Sequence, residues 1–238
     1  MAKMTLDELV EQLRAAFGGA LRAVVLYGST TAGEVLGRWS DHNVLVIVDT
    51  LDLELLQREA AIARAWMEGG NPPPLTLTFE EWRGSGDIFP MEYADILDRH
   101  RVLYGTPPFD GITVDRKDLR LQLEFQAMGK LLQLRQGVLA AGGERRRLLD
   151  LLSASLSTFM VLFRSLLRYH GDAPSADYEE LSRQTAARSG VSADPFMRVV
   201  RHVRGTEKIA DADVQTVLAA YLAGARQLVH HIDQLGAT

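Results

Sequence analysis

Two short runs, Ala23 to Tyr27 and Val44 to Val48, are almost continuously apolar, and they constrain the fold more than any other feature of the chain. A strand with one wet face alternates apolar with polar residues. A strand without that alternation is buried on both faces and needs helices on either side of its sheet. Candidates for those helices flank the runs. Thr5 and Glu8 make a capping-box pattern, and Leu6, Leu9, Val10 and Leu13 follow at helical spacing until Gly18 and Gly19 stop the helix. From Leu53 to Met67 the helical spacing returns, ended by Gly69, Gly70 and three prolines at 72–74. Leu75, Leu77 and Phe79 alternate with threonines and predict a third strand; a further strand is expected over Met91 to Ile96, and a short extended piece over Arg101 to Tyr104.

The character changes after Pro107 and Pro108. Residues 119–139, 145–169, 178–187, 195–203 and 214–235 all carry helical patterns, with no competing strand signal. The expected architecture is therefore α+β: a small mixed sheet with flanking helices over residues 1–110, followed by an all-α helical bundle over 111–238.

Composition narrows the chemistry. There is no cysteine, so thiolate metal sites, disulfides and cysteine nucleophiles are excluded, and any metal would rest on oxygen or imidazole. The formal charge of -5 offers no general attraction to phosphate polymers, and nucleic acid is not an expected partner. Arg145, Arg146 and Arg147 are expected to be a solvated helix face. No apolar run approaches the ~20 residues that span a bilayer, so a cytoplasmic protein with no membrane contact is expected.

The residues that could carry chemistry lie between the two buried runs. The first ends in Tyr27-Gly28-Ser29, and the second is entered through Ser40-Asp41-His42-Asn43. Glycine lets backbone approach a phosphate, and the serine hydroxyl and nearby amides can donate to it. Positions 41 and 43 are two apart on a strand and so project to one face, where oxygen ligands could hold magnesium; His42 then points the other way.

Gly28-Ser29 after a strand, with Ser40-Asp41-His42-Asn43 entering the next, resembles the Gly-Ser and Ser-Asp-x-Asp hallmark of the nucleotidyltransferase superfamily, which includes antibiotic nucleotidyltransferases and the minimal nucleotidyltransferases of toxin and antitoxin pairs. The segments Asp87 to Ile96 and His100 to Gly105 extend the resemblance to bacterial nucleotidyltransferase-like proteins with helical C-terminal halves. It implies a nucleoside triphosphate at Gly28 and Ser29, magnesium on Asp41, position 43 and a third carboxylate, for which Glu92 is chosen over Asp95, and two-metal transfer of a nucleoside monophosphate to a hydroxyl.

Two departures alter that expectation. Asn43 stands where the second acidic residue belongs, which takes the three-carboxylate cage from three negative charges to two, and no arginine precedes Gly33-Glu34. The expected function is then nucleotide binding or regulation, with a protein partner admitted, and weak or absent transfer; the alternative is a working transferase. In the second half, Arg164 and His170 resemble the Arg-x(4-6)-His signature of HEPN ribonucleases, although His170 just before Gly171 also reads as a helix terminus.

Overall fold

The computed structural model describes residues 3–28 and 42–236. The chain divides into two compact units, Met1–Val114 and Asp115–Thr238, and the fold is α+β.

The first unit opens with α1 (Leu6–Phe17), whose capping box forms as its sequence predicts: Glu8 N–H donates to the Thr5 hydroxyl at 3.2 Å, and Thr5 N–H to the Glu8 carboxylate at 2.8 Å. Then come β1 (Leu21–Tyr27), β2 (Asn43–Val48), α2 (Leu53–Glu68), β3 (Leu75–Thr78), α3 (Phe79–Gly84), α4 (Pro90–Asp98) and β4 (His100–Gly105). The sheet order is β3-β2-β1-β4; β1 runs antiparallel to β2 and β4, and α2 carries the chain across to make β3 parallel to β2.

Both faces of the central strands are buried, as the unbroken apolar runs require. Val24, Leu26, Val44, Val46 and Val48 face Leu9, Leu13 and Phe17 of α1 and Ile62 and Trp66 of α2. Ala23, Val25, Leu45 and Ile47 face Trp82 of α3 and Tyr93 and Ile96 of α4. From Ala23 onward the strand period of two thus sorts odd positions to the α3 and α4 side and even positions to the α1 and α2 side, while Leu21, ahead of a register shift, joins the α1 and α2 side. Gly105 lets the end of β4 lie close against β1, because a Cβ there would lie 1.8 Å from the Arg22 carbonyl oxygen.

One expected element is of the other kind. The strand expected over Met91 to Ile96 is the helix α4, with Pro90 in its first turn and Pro90, Tyr93 and Ile96 buried at three-residue spacing. The Tyr93 ring stacks on Trp82 at 4.2 Å and its hydroxyl donates to the Trp82 carbonyl at 2.7 Å, so α4 is fixed against α3 and the sheet.

The second unit contains α5 (Arg116–Ala141), α6 (Arg145–Tyr169), α7 (Tyr178–Ser189), α8 (Asp194–Arg204) and α9 (Val214–Asp233). α6 is the central helix, packed against all four others. Phe159 and Phe163 of α6, Phe196 of α8 and Tyr221 of α9 form the aromatic centre of its core, with ring centroids 4.5–5.7 Å apart. Gly224 permits this packing, because a Cβ there would sit 2.7 Å from the Phe196 ring. By length and composition α6 could cross a membrane, against the expectation from the sequence; half of its most apolar 18 residues are buried, as in the core helix of a bundle. The three arginines at its start are exposed.

Candidate functional site

The odd-even sorting of the sheet determines what meets at the end of β1. Tyr27 and Asn43 are register partners, the last residue of one strand opposite the first of the next. Both have odd numbers, so both belong to the face that α4 covers. Immediately after Tyr27 the chain turns at Gly28, which is buried, has φ +86°, and donates its N–H to the Arg99 carbonyl at 3.1 Å. That bond ties the turn to the residue between α4 and β4.

The space beside Gly28 is narrow and polar. A Cβ at this position would lie 3.3 Å from Asn43 Nδ2 and 3.9 Å from Asp95 Oδ2. Asp95 is thus the carboxylate brought to Gly28 and Asn43. Glu92, the residue chosen from the sequence, is exposed one helical step away on α4 and has no atom within 4 Å of that point. The two carboxylates still share one helix face, since positions three apart are neighbours on a helix. Their common effect reaches the Tyr27 hydroxyl, whose pKa is pushed up to about 12, first by burial and then by the negative charges of Asp95 and Glu92.

Ser29 and Asp41, the other residues of the expected site, lie outside the described residues. His42 takes the orientation that alternation predicts: its ring lies 6.1 Å from Trp66, on the α2 side.

Among the described residues no three His, Asp or Glu side chains gather closely enough to hold a metal ion. Among the described residues, the donors beside Gly28 are one carboxylate and one neutral amide, a set that by itself falls short of holding two magnesium ions. A glycine at this turn keeps a side chain out of the space between Asn43 and Asp95.

In the sequence Tyr27 carries no site signal, and Asp95 is weighed behind Glu92. The available signal was Pro90: proline at a first helical turn makes 90–98 a helix and puts 92 and 95 on one face.

In the helical unit, Arg164 is 6% exposed, with its guanidinium 5.3 Å from the Tyr178 ring centroid. His170 is the C-cap of α6, and its ring lies 5.9 Å from that of His231. His170 thus ends the helix, as its place before Gly171 predicts. Comparison with protein-family models and with curated proteins returns no match to this chain.

Proposed function

We propose that the Met1–Val114 unit binds a nucleoside triphosphate at the Gly28 turn, as the nucleotidyltransferases that its motifs resemble do, with too little anionic charge for efficient two-metal transfer. The observation that supports this is the convergence of Gly28, Asn43 and Asp95 at the C-terminal end of β1. Glycine lets a phosphate approach the backbone, and Asn43 and Asp95, with Asp41 from the same motif, are the residues that would hold a magnesium ion. Magnesium there would neutralise phosphate charge. Asn43 supplies an oxygen without a charge, so the protein's role is nucleotide-dependent regulation or partner contact, with little turnover.

Binding of ATP, GTP, CTP and UTP, with and without magnesium, tests the reading directly. The wild type is expected to bind at least one of them, and Gly28→Ala to weaken that binding by about tenfold or more while leaving the circular dichroism spectrum unchanged. A methyl group there narrows the space for phosphate and forces alanine into a left-handed backbone at a cost of about 1–2 kcal/mol. Wild-type protein that binds no nucleoside triphosphate overturns the proposal.

A second reading, transfer of a nucleoside monophosphate to a small-molecule or protein hydroxyl, draws on the paired carboxylates of α4. With Asp41, they would restore the acidity that Asn43 removes. Labelled triphosphates with magnesium or manganese would then give a nucleotidylated acceptor, and Asp95→Ala would abolish it.

A further inference from the structure

Helix α5 has two apolar faces, and the unit uses only one of them. Leu119, Leu123, Ala127, Leu131 and Leu134 are buried in the bundle. On another side, Leu121, Phe125, Met128, Leu132 and Leu139 are all exposed, Phe125 at 77% and Leu139 at 80%. Their spacing is four, three, four and then seven residues, with Arg135 at the skipped position. That is the alternation of a coiled-coil seam, continued for five turns. Five large apolar side chains on one face make a patch of roughly a few hundred Å², which monomers seldom leave to water.

The patch is also one wall of a groove. Between α5 and α9 lies a cavity of about 810 Å³, lined on one side by the seam and on the other by Arg226, Val229 and Asp233. Gly129 sits in its wall, and a Cβ there would meet nothing within 4 Å, so a helix could approach closely. The groove is walled mainly by apolar side chains, with charges of both signs along its edges.

We infer that the occupant is a second copy of this chain, with the two α5 helices packed antiparallel about a twofold axis near Lys130. The sequence of the seam selects that arrangement. With Lys130 at the axis, Leu121 faces Leu139 of the second copy, Met128 faces Leu132 and Phe125 faces Arg135. Glu124, which lines the groove, falls beside the same arginine. Every member of the seam thereby meets an apolar side chain or a cation suited to an aromatic face, and Glu124 of one copy lies beside Arg135 of the other, twice by symmetry. A parallel pair would instead stack Arg135 on Arg135 and Glu124 on Glu124, so charge decides against it. The exposed Phe125 has the character of an interface anchor, a large aromatic ring projecting where a partner groove begins.

Sedimentation equilibrium of the full chain, whose mass is 26.3 kDa, should give twice that mass at micromolar concentration. Phe125→Asp should raise the dissociation constant about 100-fold with helical content unchanged. Because the chain has no cysteine, introduced thiols report the register cleanly. Leu121→Cys mixed with Leu139→Cys should form a disulfide-linked dimer under mild oxidation, whereas Leu121→Cys alone should not, since its two copies would lie about 27 Å apart along the axis. A wild type that stays monomeric at 100 µM overturns the inference and leaves the groove to a helix from another protein. A dimer unaffected by Phe125→Asp overturns this interface, and self-linking of Leu121→Cys overturns the antiparallel register.

Discussion

Asn43 and Asp95 meet over the backbone of Gly28, the amide 3.3 Å and the carboxylate 3.9 Å from the point that a Cβ would occupy, and so lie within about 7 Å of each other. One comes from the first residue of β2 and the other from the middle of α4, elements joined by the sheet core of Val25, Leu45, Tyr93 and Ile96. The pairing sets a neutral amide beside a carboxyl group.

Restoring the charge is the sharpest probe of that relationship. Asn43→Asp would place two carboxylates within about 7 Å, a repulsion on the order of 2 kcal/mol at an effective dielectric near 20. Without divalent ions the variant should therefore melt several degrees below the wild type. With millimolar manganese the loss should reverse, because a cation between two carboxylates is favoured where one between a carboxylate and an amide is weak. Thermal melts in chelator and in manganese measure both terms. A manganese shift equal in wild type and Asn43→Asp would dismiss a metal position beside these residues.

A second prediction concerns Glu59, which α2 buries to 5% exposure and which accepts a 2.5 Å hydrogen bond from the Thr76 hydroxyl of β3. Burial raises its pKa above the ordinary carboxylate value, and the bond from Thr76 only partly opposes this. The folded state then holds a proton at pH values where the unfolded chain has lost it. Stability from this group is complete below the unfolded pKa and is lost as pH rises through the folded one. Glu59→Gln keeps the shape and can still accept from Thr76, but carries no charge. Its melting temperature should exceed that of the wild type at pH 8, with the gap closing toward pH 4. A gap independent of pH would assign the effect to packing alone.

How far the sequence disclosed all this depended on whether the signal was local. The strands β1 and β2 and the five helices of the second unit were legible because uninterrupted apolar runs and helical periods leave few alternatives; the pattern over 145–169 matches α6 to the residue. The helix α3 was missed although Thr78 and Glu81 form a capping box, because Phe79 continues the alternation of the preceding strand. The helix α4 was read as a strand because Met91, Tyr93 and a later Ile96 mimic alternation over a short stretch, and its N-cap, Phe89, offers no side-chain oxygen. Strand alternation favours Glu92, whereas the helix brings Asp95 beside Gly28. The second apolar face of α5 escaped notice for a related reason: with leucines on two sides, the helix lacks one dominant stripe.

The last prediction concerns the histidine pair of the helical unit. The His170 and His231 rings lie 5.9 Å apart, and the Nε2 atom of each is buried without a hydrogen-bond partner. Burial lowers the pKa of His170 below the usual 6.5, helped by the charges of Arg188, His231 and Arg116 and opposed by Asp172; burial and then His230 lower that of His231. Because Asp172 is engaged by Arg188 at 2.5–2.7 Å, it offsets the effect only in part. As pH falls through about 6.5, the unfolded chain takes up protons that the folded one refuses, so stability is present above that pH and declines below it. Urea midpoints of the wild type should therefore drop between pH 7.5 and 5.5. In the double variant His170→Gln with His231→Gln the decline over that interval should largely disappear, while acid unfolding near pH 4, which belongs to carboxylates, remains. An equal decline in both proteins would show that these rings do not govern it.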